Sequence, residues 1–115
     1  MRGTMVLGVI AGLVAVPAMA GERTGFASIR AGDLSNAERT LVAERRIYPN
    51  RPELMLNLAA VYQRTGRSMA AASLYRDVLA RPAVTMDMPS GATRSSHPVA
   101  DQALLTLAPT AIATR

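Results

Sequence analysis

Residues 52–82, PELMLNLAAVYQRTGRSMAAASLYRDVLARP, carry the reading that decides the fold. Pro52 suits a first helical turn, where the missing N–H would have had no partner, and Asn50 with Glu53 has capping-box spacing. Met55, Leu58, Ala59 and Tyr62 then fall at i, i+3, i+4 and i+7, one face of an α-helix. Thr65-Gly66 ends that helix, because glycine enters the left-handed conformation favoured at a helix C-terminus without a Cβ clash. Ser68 can cap a second helix, whose buried stripe is Ala71, Leu74, Tyr75 and Val78 and which Pro82 stops. The spacing predicts two helices of about 14 residues joined by a short turn, an antiparallel αα-hairpin.

Upstream, the same features recur. Gly32 lies 34 residues before Gly66, and at that offset Arg30 pairs with Arg64, Ala37 with Ala71 and Leu41 with Tyr75. Pro49 closes this copy, and Pro82 closes the second one residue early. Asp33 or Ser35 can cap the second helix of the first copy, and Ser35 with Glu38 again has capping-box spacing. The first helix, near residues 22–31 (ERTGFASIRA), is poorer, with Phe26 and Ile29 its only large apolar residues.

Residues 52–82 resemble a tetratricopeptide repeat: a large residue at Met55, Leu58-Ala59, Tyr62, Gly66, Ala71, Tyr75 and the closing Pro82. Small residues stand at Ala59 and Ala71 because the family's two helices approach most closely there. Val78 departs mildly from the family's usual Ala. In the first copy Gly25 keeps the small residue but Thr24 replaces Leu, and Glu44 stands where a small buried residue is usual. That copy reads as a degenerate N-terminal repeat with an open, capping end. The resemblance implies an all-α fold, a short right-handed α-solenoid of helix–turn–helix repeats. Gly32, Ala37, Leu41, Met55, Leu58, Ala59, Tyr62, Gly66, Ala71, Tyr75 and Val78 would be its packing residues. Two copies are fewer than the three or so that a free-standing array needs, so the packing must be completed by the chain's own C-terminal part or by something else.

After Pro82 the period is lost. Val84 to Met88 alternates apolar and polar, Pro89-Ser90-Gly91 is a turn, and Ala92 to Ser96 could run back, so 84–96 is either a short hairpin or an ordered loop. His97-Pro98 begins a final helix with Val99, Leu104, Leu105 and Leu107 available for burial, ending before Pro109; residues 110–115 should fray. The domain reading is residues 21–51 and 52–85 as repeats and 86–115 as loop or hairpin, capping helix and tail.

The first twenty residues read differently. Arg2 is a short positive region, Met5 to Val16 an apolar run, Pro17 a break, and Ala18-Met19-Ala20 a small-x-small cleavage box. That is a secretory signal peptide cut after Ala20; the run falls short of the about 18–20 residues that span a bilayer. The expected address is periplasmic or secreted, with membrane contact only transient, through the signal peptide. The alternative is a membrane-tethered subunit that keeps residues 1–20. The chain is basic, with 13 Arg against 8 acidic residues and no lysine, but Arg45-Arg46 is its only adjacent basic pair. Scattered arginines, one Phe and three Tyr do not make a nucleic-acid surface. Cysteine is absent, which excludes disulfides and a lipid carried on cysteine.

The resemblance also implies a groove lined by the first helix of each repeat, holding a protein or peptide partner. Its outward residues would be Glu53, Leu56, Asn57, Ala60, Gln63 and Arg64, with Arg23, Phe26 and Arg30 from the first copy. Arg30 and Arg64 share a repeat position, and paired arginines can grip a carboxylate; equally, both are helix-end charges beside a C-terminal dipole. Asn57 matches one position of the family's carboxylate clamp, but Glu22 and Phe26 replace the Lys and Asn of the others, so the clamp is not carried over. Met86, Met88 and His97 could together bind Cu(I), yet they are few ligands and Met is an ordinary packing residue. Ser95-Ser96-His97 lacks the setting of a nucleophile and base, and no phosphate loop or spaced acidic cluster is present. Catalysis and cofactors are not expected; self-association, or docking onto a larger complex, would supply the buried surface that two repeats lack.

Overall fold

The structure, a computed structural model, describes residues 25–113, with side chains through Leu107. The signal-peptide reading of residues 1–20 and the groove residue Arg23 lie outside them. Five helices and a two-stranded hairpin follow in order: α1 Phe26–Ala31, α2 Leu34–Ile47, α3 Pro52–Arg64, α4 Ser68–Leu79, β1 Thr85–Asp87, β2 Thr93–Ser95 and α5 Ser96–Ala113.

The turns after α1 and α3 are the same turn. Gly32 has φ 80° and Gly66 φ 82°, and nothing lies within 4 Å of a Cβ built at either. Gly32 N–H donates to the Ile29 carbonyl at 3.0 Å and Asp33 N–H to that of Ser28 at 2.9 Å. At an offset of 34, Gly66 N–H donates to Gln63 at 3.3 Å and Arg67 N–H to Tyr62 at 2.8 Å. This is a Schellman motif, in which a left-handed glycine turns two otherwise unpaired donors back onto the last carbonyls of the helix. Ala37 N–H and Ala71 N–H then bond the carbonyls of Asp33 and Arg67, both at 3.0 Å, opening α2 and α4 alike.

The caps depart from expectation. Asp33 does cap α2, accepting from Asn36 N–H at 3.2 Å. Ser35 and Glu38 form no box, since Glu38 is bonded to Arg67. Arg51, not Asn50, precedes α3, with no side-chain cap; Asn50 Oδ1 instead accepts from Arg81 Nε at 3.1 Å. Ser68 is the first residue of α4 rather than its cap. A missing cap costs about 1 kcal/mol, whereas each fully buried Leu or Met side chain contributes about 1.5–3 kcal/mol. Burial decides for α3, where Leu54, Met55, Leu56 and Leu58 are all at most 2% exposed.

Packing is sequential. α3 meets α4 most extensively, α4 then meets α5, α2 packs on α3, and α1 on α2. Ile29, Ala37, Leu41, Met55, Leu58, Ala59, Ala71, Tyr75 and Val78 share one apolar cluster, with Phe26 and Tyr62 against it. Gly25, at φ 70°, starts α1 where a Cβ would meet Leu41 Cγ at 3.1 Å, so the close approach expected of its repeat position is present. α1 is only six residues long within the described part.

Segment 84–96 is a hairpin, antiparallel with Thr85 opposite Ser95, Met86 opposite Arg94 and Asp87 opposite Thr93. Met86 and Met88, two residues apart and so on one face, are both in the core cluster. β2 runs straight into α5. The final helix does not end before Pro109 or fray at 110: its backbone is helical to Ala113. Pro109 removes the hydrogen bond to the Leu105 carbonyl without ending the helix. Among the described residues no helix is long and apolar enough to cross a membrane.

Gly66→Ala should cost about 1–2 kcal/mol in urea unfolding, from the left-handed backbone alone. Gly25→Ala should cost more, because it adds the clash with Leu41; equal losses would show that the approach is not tight.

Candidate interaction surface

The eight described residues of the nine expected to line a groove are not delivered as one surface. α3 is buried from Leu54 through Val61, so Leu56 and Asn57, both 0% exposed, and Ala60 at 1% cannot face a partner. The reason is visible in the run LMLNLAAV, which is apolar on every side of the helix with Asn57 its single polar residue. A helix apolar all round is an interior helix. Choosing outward positions by repeat register assigned α3 a free face where that composition leaves none.

The polar candidates on α3 are largely committed to the fold. Gln63 Oε1 accepts from the Tyr75 hydroxyl at 3.0 Å, tying α3 to α4. Burial raises the pKa of that phenol, so it stays a donor at any ordinary pH. Arg64 Nη1 reaches the Ile29 carbonyl in α1 at 3.5 Å. Arg30 has a different partner, its guanidinium carbon lying 5.5 Å from the centroid of the Phe26 ring. Arg30 and Arg64 therefore do not form a ready carboxylate grip. Each of α1 to α4 carries Arg in its last turn, where it complements the C-terminal dipole. What remains accessible is Arg30, with Phe26 and Glu53 half-buried beside the packed positions.

The strongest electrostatic feature is one that no repeat pattern picked out. Arg67 holds Glu38 through two hydrogen bonds, Nη2 to Oε1 at 2.6 Å and Nη1 to Oε2 at 3.1 Å. Its Nε also donates to Thr65 Oγ1 at 3.2 Å, and the guanidinium carbon lies 4.5 Å from the Tyr62 ring centroid. This fork–fork pair ties α2 to the α3–α4 turn. The hydrogen bonds from Arg67 hold the Glu38 carboxyl below its ordinary value, partial desolvation opposes them, and the Arg67 charge adds to the lowering. The partners are 29 residues apart on different elements, so no local spacing signals them.

The remaining reactive side chains are structural. The His97 Nε2 to Arg81 carbonyl distance is 2.6 Å; a carbonyl only accepts, so Nε2 carries the hydrogen. Ser96 is tied to Val84: its N–H donates to the Val84 carbonyl at 2.8 Å and its Oγ accepts from Val84 N–H at 3.0 Å. Ser96 and His97 thus point at different partners, and together they pin α5 to the segment leaving α4. Met86 is 1% and Met88 7% exposed, so their sulfurs sit in the core rather than at a ligand site. Among the described residues no group of three His, Cys, Asp or Glu side chains could hold a metal ion. Comparison of the chain with protein-family models, with curated proteins and with solved structures gives no match.

Tyr75→Phe should lower stability by about 1 kcal/mol, by leaving Gln63 without its donor; thermal unfolding checks this. For Glu38 the folded pKa is below the unfolded one, so its stabilisation is complete above the unfolded value and lost as pH falls through the folded value. Arg67→Ala should therefore destabilise at neutral pH, and its difference from the parent should shrink in acid once Glu38 is protonated, leaving only the loss of the Thr65 hydrogen bond and the Tyr62 contact. Urea unfolding at both pH values measures the two differences.

Proposed function

We propose that the chain is an exported, non-enzymatic interaction module of the tetratricopeptide-repeat type, a short right-handed solenoid that holds a protein or peptide partner. The observation that carries this reading is the repeated turn. The glycine conformation, two turn hydrogen bonds and the first bond of the next helix recur at a 34-residue offset. Two helix–turn–helix units with the same internal geometry are what such a repeat requires, and each unit buries its apolar face on its neighbour. In this reading α1–α2 is the N-terminal repeat, α3–α4 the complete one, and the hairpin with α5 supplies the packing of a third.

The non-enzymatic part draws support from the fate of the reactive groups. The chain's single histidine and Ser96 are both bound to backbone groups of residues 81 and 84, and the best-formed ion pair joins two structural elements. No observation favours the metal-handling alternative, because the two methionines that it needs are in the core. The export part rests on residues 1–20 as read from the sequence. The partner-facing surface of the proposal is narrower than the register predicted: Arg30 and Phe26 on α1, with Glu53 at the start of α3.

Site-specific photocrosslinking in cells tests it. A photoreactive residue at Arg30 should give a discrete protein adduct, and one at the exposed Arg76 on α4 should not. Equal, diffuse labelling from both positions would count against a partner groove on α1 and α3.

A further inference from the structure

Among the described residues, two helix faces at different places in the packing series are left open, and their chemistry differs in sign. On α2, residues Ser35, Glu38, Arg39, Val42, Ala43 and Arg46 line one shallow depression. They recur at i, i+3, i+4, i+7, i+8 and i+11, a single stripe on which Ser35, Arg39, Ala43 and Arg46 are exposed while the half-buried Val42 packs with one side against the core. Arg39 and Arg46 stand on it two turns apart, about 10 Å along the axis. Glu38 shares the stripe, but its charge is already matched by Arg67. Arg39 gives one N–H to Asn36 in its own helix at 3.3 Å. The free charge of this face is positive.

On α5, a second depression is lined by Pro98, Asp101, Gln102, Leu105 and Thr106. This stripe lies opposite the buried Val99, Ala100, Ala103 and Leu107. Asp101 is the one formally charged residue from 96 to 113, so the face is negative. At its middle Leu105 is 74% exposed, a large apolar side chain held in water. Val42 and Ala43 lie between the two arginines of the α2 stripe, an apolar strip of matching kind.

We propose that these faces are the two halves of a head-to-tail contact between copies of this chain. Leu105 of one copy would rest on Val42 and Ala43 of the next, with Asp101 between Arg39 and Arg46. The opposite signs specify the second copy rather than an acidic peptide, which would leave Leu105 exposed. Because the two faces differ, the contact is heterologous: each copy keeps one half unsatisfied, and association continues past two. Two helix stripes bury less than the about 800 Å² per partner of a stable complex, so association is weak and concentration-dependent. The contact does not use α1 or the start of α3, and so stands apart from the proposed partner groove.

Sedimentation of the purified full chain tests it. The weight-average mass should rise with concentration past that of a dimer, and fall back with added salt. The Arg39→Glu/Arg46→Glu double variant and the Asp101→Arg variant should each weaken association by about tenfold or more, with helical circular dichroism unchanged. Mixing the two variants should restore it, since the new acidic α2 face then meets the introduced arginine, and the parent α2 face meets Asp101. A monomer at every concentration overturns the proposal, whether residues 1–24 or another molecule covers the faces. So does assembly that stops at a dimer, or a mixture no stronger than either variant alone. A partner adduct at Arg30 with a monomeric chain would leave the groove standing and remove this contact.

Discussion

α3 has no free face, and the rest of the molecule is arranged around that fact. Its run from Leu54 to Val61 is apolar on every side, so each side needs a cover. α2 and α4 pack against it, and α5 touches it as well. The constraint is hydrophobic and non-directional, which is why α3 manages without a side-chain cap. Burial of its large side chains outweighs the loss of one cap hydrogen bond several times over. The same constraint removes Leu56, Asn57 and Ala60 from any binding surface.

Directional interactions then set how the covers are joined. The Schellman turns at Gly32 and Gly66 give α1–α2 and α3–α4 the same entry geometry, because the left-handed glycine and its two hydrogen bonds leave little freedom. Between the units, Arg67 holds Glu38, and Arg64 reaches the Ile29 carbonyl. Within the second unit, Tyr75 holds Gln63. Beyond it, Ser96 and His97 fasten α5 to residues 84 and 81. Several of the chain's polar side chains are thus spent on fastening one element to the next.

The charges left over are distributed unevenly. α2 presents two arginines and α5 an aspartate beside an exposed leucine. Both faces are open among the described residues. The two faces differ in sign, a pattern that invites like molecules to meet head to tail rather than face to face.

By itself the sequence determined where the helices from α2 onward begin, the two glycine turns, their common offset and part of the core: Ala37, Leu41, Met55, Leu58, Ala59, Ala71, Leu74, Tyr75 and Val78. These are legible because they are local: a 3.6-residue period, a glycine forced to positive φ, a capping Asp33. Segment 84–96 was open between hairpin and loop for the same reason, since three-residue strands carry too little pattern to choose. Tertiary structure alone decided which helices cover α3, that Glu38 belongs to Arg67 and that Met86, Met88 and His97 serve packing. Those outcomes depend on which helix faces meet across dozens of residues, and that is set by the packing of whole elements against one another. No spacing along the chain encodes it.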